Sequence, residues 1–508
     1  RDLIVTGVQT CALPIYSAET GKTTFSVTVA DASSATGDTV WASPSGGAWS
    51  DGPNWSGGAV PAATSTAVFD ATAAGGTVLV PSFATAGGLS FDSVTGYTLS
   101  GTGPLRLGST TPPATAVGSG SHEIAVPLVV DSMMPVDVAE GSVLSVLGDV
   151  VGNGVEKVGN GKLLMSGGVD LSDGLVVLNG ILEVADRASF AANPFALSGS
   201  TLWYSGSDSV TNVNSFELDT TNAAVIFRND GDVTMADGVY ANTRKKGSLI
   251  KVGAGKMTVT ITSSTAIAPN ASGYSAKLVT GMVEFPANGS TPTNGYCGFS
   301  IAEGELCFKG GPSDENSART DAATHFNVGV GTTNFTGSCK LTFDGGAYNF
   351  KGSTTHLYVG SYANKGGSNQ AHTLEFRNRA YGYVDTIYLG AVGTARTELG
   401  TDSTLIVDNS WLDFTYRLFY GYDVGKGGMN AYIRNGSTIR CVDANGWGSH
   451  YWGRAGTIDV DNSRMLLGAW RSGFDVRDNA AGTMRFRNGS LLELWCLAIR
   501  ASKAAGCH

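Results

Sequence analysis

The sequence predicts an all-β chain wound as a parallel β-helix, and three observations predict it. The first is a five-residue pattern that recurs six times between Leu341 and Ile499. Its copies are Leu341-Thr-Phe-Asp-Gly345, Leu374-Glu-Phe-Arg-Asn378, Leu405-Ile-Val-Asp-Asn409, Ala431-Tyr-Ile-Arg-Asn435, Ile458-Asp-Val-Asp-Asn462 and Met484-Arg-Phe-Arg-Asn488. Their closing residues lie 33, 31, 26, 27 and 26 positions apart. The first and third positions are apolar in every copy and the fourth is charged, the period-two alternation of a strand with one buried face. The second observation is a companion register. Leu357-Tyr-Val-Gly360, Ile387-Tyr-Leu-Gly390, Leu418-Phe-Tyr-Gly421 and His450-Tyr-Trp-Gly453 recur 30, 31 and 32 residues apart. The third is composition: 70 of 508 residues are Gly and only 15% are charged, against usual values of about 7% and about 25%.

Repeats of this length belong to solenoids or propellers. A propeller blade needs about 40 residues and four strands, which these units are too short to supply. A β-sandwich whose strands happen to be alike is the alternative. At about 26 residues per coil and about 4.8 Å per strand step, the chain from Asp38 onward makes roughly 18 coils extending about 85 Å.

Within the six-fold pattern, the fifth position is Asn five times and Gly once. Those are the residues tolerated in the left-handed backbone of a sharp corner. Stacked coils are expected to align the amides of Asn378, Asn409, Asn435, Asn462 and Asn488 as a hydrogen-bonded ladder. The fourth position reads Asp344, Arg377, Asp408, Arg434, Asp461, Arg487, alternating in sign at every step. In-register stacking places these outward side chains about 4.8 Å apart, so they are expected to form an ion-pair ladder that penalises slipped registers. Phe343, Phe376, Val407, Ile433, Val460 and Phe486 then point inward.

From the beginning of the chain, residues 5–15 resemble one reading frame of a widely used sequencing-library adapter. Residues 1–16 are therefore expected to be an artefact and stand outside fold reasoning. Residues 17–36 hold a strand remnant, Thr24-Phe-Ser-Val-Thr-Val-Ala30. A region from 37 to 310 opens with Trp41, Trp49, Asn54-Trp55 and Pro61, whose indoles are expected to cover an open coil end, as a solenoid terminus requires. It continues with Lys157-Val-Gly159-Asn-Gly161-Lys-Leu163 followed by Asn179-Gly180-Ile-Leu-Glu-Val184. This recurs as Lys251-Val-Gly253-Ala-Gly255-Lys-Met257 followed by Thr280-Gly281-Met-Val-Glu-Phe285, with partial echoes at Glu140-Gly141 and Glu303-Gly304.

These motifs, with the Trp-rich opening, resemble the autotransporter-associated β-strand repeat proteins of bacteria over roughly Asp38 to Phe308. The resemblance implies a right-handed β-helix, exported and displayed or released at the cell surface. A translocator barrel or sorting tail is not seen after the strand-like run Leu491 to Ile499, so the expectation is either a chain truncated at its C-terminus or a protein that does not translocate itself. The polar segment 310–324 is a candidate break or a long loop, and 325–508 is an aromatic-rich second part of the same β-helix.

Seven Cys are present, Cys11 within the adapter-like stretch and the rest at or after Cys297, with no CxxC pair to suggest zinc. Cys441 and Cys496 are expected two coils apart, roughly 9 to 10 Å, beyond disulfide reach, so buried free thiols are expected. The net charge of −10 argues against a nucleic-acid partner. No apolar run nears the length of about 20 residues that spans a bilayer. No nucleophile elbow, metal-ligand spacing or cofactor motif is found. Asp459 and Asp461 share a strand face, which a carboxylate-based hydrolase or lyase would use; structural ion pairing is the competing role. Trp447, Tyr451 and Trp452 lie in a Gly-rich segment read as a corner. Exposed there, they would stack on sugars; otherwise they fill the core. The favoured expectation is a non-catalytic, structural or adhesive surface solenoid. Its partner would be a host surface or an extracellular polysaccharide. A carbohydrate-binding solenoid and a polysaccharide lyase or glycoside hydrolase are the alternatives.

Overall fold

The computed structural model describes residues 37–499 apart from 109–112, 215, 220–224, 236–238, 242–247, 262–296, 302, 311–323, 329–337, 350–355, 360–370, 390–402, 421–428, 443–448, 453–455, 468–472, 477–481 and 495. The adapter-like residues 1–16 and the strand remnant of 17–36 lie outside the described residues, as does most of the polar segment 310–324. Every pairing between named strands is parallel, and each joins residues about one coil apart. The one antiparallel contact is an isolated bridge between Trp41 and Trp55. Among the described residues the fold is all-β, built from parallel sheets in which successive coils lie side by side.

A coil in the first half shows the plan. Ser121–Ile124, Leu128–Val130 and Met134–Val138 follow one another in sequence. Each then pairs with a strand of the next coil: Val143–Val146 and the two halves of Val150–Val158. Alternation drives this. In Met134–Val138, Met134, Val136 and Val138 are buried while Pro135 is half-buried and Asp137 exposed, so a one-residue slip would turn an apolar face to water. The same ladders cross the polar break, where Gly304–Gly310 pairs with Cys339–Asp344.

The six copies of the five-residue pattern are six consecutive strands of one sheet: Cys339–Asp344, His372–Arg377, Ser403–Asp408, Met429–Arg434, Gly456–Asp461 and Gly482–Arg487. They pair residue for residue, with Phe343, Phe376, Val407, Ile433, Val460 and Phe486 in one column. The Phe343 and Phe376 rings stack at 4.8 Å, and each fully buried side chain of this size contributes about 1.5–3 kcal/mol. The companion register also aligns, Leu357 with Ile387, Ile387 with Leu418 and Leu418 with His450. At the opposite end of the described stack, Trp41, Trp49 and Trp55 are buried against Phe69. Trp55 meets Trp41 and Trp49 edge-on at 5.0 and 4.9 Å.

Among the described residues, one short α-helix interrupts the strands. Arg187–Ala192 takes the place of a strand, with Ser189 and Asn193 hydrogen-bonding the backbone of Val169 and Leu171 in the preceding coil. The Asp186 carboxylate accepts from the Ser189 N–H as the N-cap. At six residues it is too short to show helical periodicity.

The glycine-rich motif receives a physical explanation. Lys157 and Lys251 are fully buried. The Lys251 ammonium donates to the carbonyls of Val252 at 2.8 Å, Gly253 at 2.5 Å and, one coil further on, Glu303 at 3.3 Å. Lys157 does the same with Val158, Gly159 and Asn179. The left-handed Gly159 and Gly253 (φ +72° and +83°) turn those carbonyls inward. Thus the two halves of the motif are one device: the lysine of one coil holds the carbonyl before the glycine of the next. The two copies stand at different corners. Lys157 precedes a strand, Lys162–Met165, that lies in the sheet containing Lys251 itself.

Burial pulls the Lys251 ammonium down to about 7 and that of Lys157 to about 8 from the ordinary 10.5, against the attraction of Glu303 and Asp137 respectively. Since the unfolded chain keeps its protons up to about pH 10.5, it binds more protons than the fold above pH 7. Stability is therefore expected to rise with pH from 7 towards 10, by up to about 1.4 kcal/mol per pH unit for each lysine. Denaturant titrations at pH 7, 8 and 9 check this. Lys251→Met should flatten the slope and lower stability at pH 7 by about 1–3 kcal/mol through its orphaned carbonyls. A midpoint that falls with pH contradicts it.

Candidate functional site

The corner after the six-fold strands carries the most ordered chemistry in the molecule. All five closing asparagines are left-handed: Asn378, Asn409, Asn435, Asn462 and Asn488 have φ between +46° and +59°. Their amides, however, do not stack on one another as the expected ladder requires. Three reach back to the carboxylate of the coil before: Asn378 to Asp344 at 2.6 Å, Asn435 to Asp408 at 2.6 Å, and Asn488 to Asp461. The reason is competition, since an ionised acceptor forms a stronger bond than a neutral amide oxygen.

The charge column is in register throughout, Asp344, Arg377, Asp408, Arg434, Asp461 and Arg487 standing side by side. Its bonds are grouped in pairs. Arg377 reaches Asp344 at 2.9 Å, Arg434 reaches Asp408 at 2.8 Å, and Arg487 reaches Asp461 at 3.4 Å. Each aspartate thus takes an arginine on one oxygen and the following asparagine on the other. Satisfied from one side, it leaves the arginine of the preceding coil outside its reach. Burial raises the pKa of the Asp344 carboxyl, yet the Asn378 amide and the Arg377 guanidinium outweigh it and hold the group below its ordinary value.

A continuous rail does exist, but serine makes it. The N–H groups of Ala380, Ser410, Ser437 and Ser463 donate in turn to the hydroxyls of Ser410, Ser437, Ser463 and Ser490, at 3.1–3.2 Å. Each hydroxyl in turn donates to a strand-end carbonyl. The signal was present in the sequence: Asn-Ser and Asn-Gly-Ser follow the closing asparagines at 409, 435, 462 and 488.

The corners alternate in length as the charges alternate in sign. Aspartate strands turn directly, as in Asn409-Ser410 and Asn462-Ser463. Arginine strands insert one more left-handed residue, Gly436 or Gly489 in two coils and Arg379 (φ +66°) in the third. Glycine adopts this conformation freely; a residue with a Cβ does so at a cost of about 1–2 kcal/mol. The Arg379 side chain is exposed, and among the described residues no ion pair or side-chain hydrogen bond offsets that cost.

Beside it runs an open groove of about 610 Å³, lined by Arg379, Asn409, Tyr381, Trp411 and the side-chain-free Gly346 and Gly436 among others. Tyr381 and Trp411 occupy equivalent positions in adjacent coils. Both are anchored from beneath by the buried Asp413, which accepts from the Tyr381 hydroxyl at 3.0 Å and the Trp411 indole N–H at 2.8 Å. Arg440 closes this network with a two-pronged bond to the same carboxylate, 3.0 and 2.6 Å, its guanidinium 5.1 Å from the Trp411 ring centre.

The sugar-stacking trio of the sequence lies elsewhere. Trp447 is outside the described residues. Tyr451 and Trp452 belong to a strand, Ser449–Trp452, paired on both sides with Arg417–Tyr420 and Gly473–Val476. They are thus in mid-sheet and not at a corner, because neighbouring coils supply in-register partners. Asp459 and Asp461 are both engaged by Arg487, Asp459 by two bonds of 3.1 and 2.9 Å. Among the described residues, no cluster of His, Cys, Asp and Glu is arranged to hold a metal. Cys307, Cys339 and Cys441 are buried and form no disulfide among the described residues, and desolvation pushes the Cys307 thiol up to about 11. No described helix is long and apolar enough to cross a membrane.

The chain matches no protein-family model, no curated protein and no solved structure.

The serine rail and the charge pairs differ in weight. Ser437→Ala leaves the Ser410 N–H without its acceptor in a buried site and should destabilise by about 1–3 kcal/mol. Arg434→Ala removes an exposed pair and should change stability by about 0–1 kcal/mol. Paired denaturation curves check the order, and a larger loss in Arg434→Ala reverses it.

Proposed function

We propose that the protein is a non-catalytic, exported bacterial surface solenoid with a structural or adhesive role, its coils wound right-handed and numbering roughly 18 by strand spacing. The observation that carries this reading is how the charged residues of the repeat are used. Asp344, Asp408, Asp459 and Asp461 are each bonded by an arginine from the next coil, so they serve the stacking of coils. The pair best suited by sequence to glycoside chemistry, Asp459 and Asp461, shares one arginine, Arg487, which occupies both carboxylates. Acid and nucleophile in glycoside chemistry must each reach the glycosidic bond, and carboxylates held by an arginine of the next coil are turned to stacking instead.

The Gly-rich clamp motif and the Trp-rich opening support the same reading through their resemblance to autotransporter-associated repeats, and export to the cell surface follows from that resemblance. A stacked array of exposed corners suits a surface protein, since corners of one kind recur in alternate coils and so offer repeated attachment points.

Purified protein incubated with neutral and acidic polysaccharides is expected to release no reducing or unsaturated ends. Reproducible release that disappears in Asp459→Ala would overturn the non-catalytic assignment and favour the lyase or hydrolase reading.

A further inference from the structure

We propose that the groove beside Arg379 binds a sugar bearing an oxyanion, a carboxylate or a sulfate ester, on an extracellular glycan. Four observations converge on it. Arg379 holds a left-handed position that equivalent corners give to glycine, Gly436 and Gly489, and its guanidinium has no partner within the protein among the described residues. Strain kept without an internal contact to offset it points to a use outside the chain. Gly346 in the coil before and Gly436 two coils on line the same groove without side chains, and Arg379 is exposed.

Asn409, one coil on, is also exposed and is the second unspent group. Its backbone carbonyl accepts from the Arg379 N–H at 2.7 Å, but its side-chain amide has no hydrogen-bond partner among the described residues. The asparagines of the arginine coils, Asn378 and Asn435, have theirs committed to aspartate. An amide donating and accepting beside a guanidinium suits vicinal hydroxyls next to an acid group. The planar guanidinium fork matches two oxygens of one carboxylate or sulfate.

Tyr381 and Trp411 supply the wall. Asp413 fixes both rings through their polar atoms, so their positions are set before a ligand arrives, which reduces the ordering that binding requires. Trp411 remains 36% exposed. An open groove with polar groups and two aromatic edges fits a hydrated sugar, and it lacks the enclosure an apolar ligand needs. A nucleic acid or another densely charged polyanion is disfavoured because the acidic chain offers one unpaired cation at this place, set among the aspartates of the charge column.

The inference rests on the adhesive reading only in treating the occupant as a retained ligand; cleavage of the probe would defeat that reading while leaving the binding measurement valid. The test titrates the full chain by calorimetry with three matched tetrasaccharides: galacturonate, sulfated galactose and neutral galactose. At least one acidic probe should bind, with the neutral one weaker by about tenfold or more. The arm that binds more tightly tells carboxylate from sulfate. Arg379→Gly should lose about tenfold or more in affinity, and Arg379→Lys should retain part of it, because the charge stays and the fork is lost. Since glycine suits the corner, Arg379→Gly should melt within about 2 °C of the parent. Equal affinity in Arg379→Gly, a preference for the neutral probe, or no acidic binding at 10 mM would overturn the proposal. So would a large fall in melting temperature for Arg379→Gly, because the side chain would then be holding the corner together.

Discussion

The hydrogen-bond ladder between successive coils is the constraint on which everything else depends. A parallel strand has no hairpin to fix its register, so each coil must be positioned by side chains and corners. The interior columns do most of it: Leu374, Leu405 and Ala431, or Phe376, Val407 and Ile433, stand one behind another. A slip of one residue would expose an entire column. The corner groups add selectivity. The serine rail ties N–H to hydroxyl from one coil to the next, and the Asp–Arg–Asn triplets favour one neighbour over another of like charge. Buried lysine clamps do the equivalent at two corners in the earlier part of the chain.

The strand positions were legible in the sequence because they rest on period-two alternation, which is a local property. The six-fold pattern reappears as six aligned strands with no shift between copies. The left-handed corners were legible for the same reason, Asn and Gly being the residues that conformation accepts. What those residues do after folding was less legible. Asn378 had an ionised acceptor within reach, and an alignment of like residues gives no sign of that. Ser410 and Ser437 sat one and two residues past their asparagines, so the serine rail was hidden by the change of corner length. That change itself follows charge sign, a correlation visible only once the coils are superimposed.

The candidate site was harder still to read. Trp447, Tyr451 and Trp452 attract notice because aromatic residues cluster there, yet two of the three belong to a strand inside a sheet. Arg379, Asn409, Tyr381 and Trp411 are unremarkable in sequence. Arg379 becomes conspicuous only beside Gly436 and Gly489 at matching corners, and Asn409 only when the partners of the other amides are known. Buried Asp413 could not be foreseen either, because its partners come from strands about 30 residues away on either side.

The two lysine clamps stand one face apart around the coil, although their sequences are nearly the same. The clamp therefore needs only a strand, a tight turn and the next coil's carbonyl, and it is indifferent to which of the faces it occupies. A gain or loss of a single strand's worth of chain would rotate every later motif by one face and still leave each clamp workable. Such a protein can lengthen by thirds of a turn. Its evolutionary history would then be recorded in the angular drift of its repeats as well as in their number.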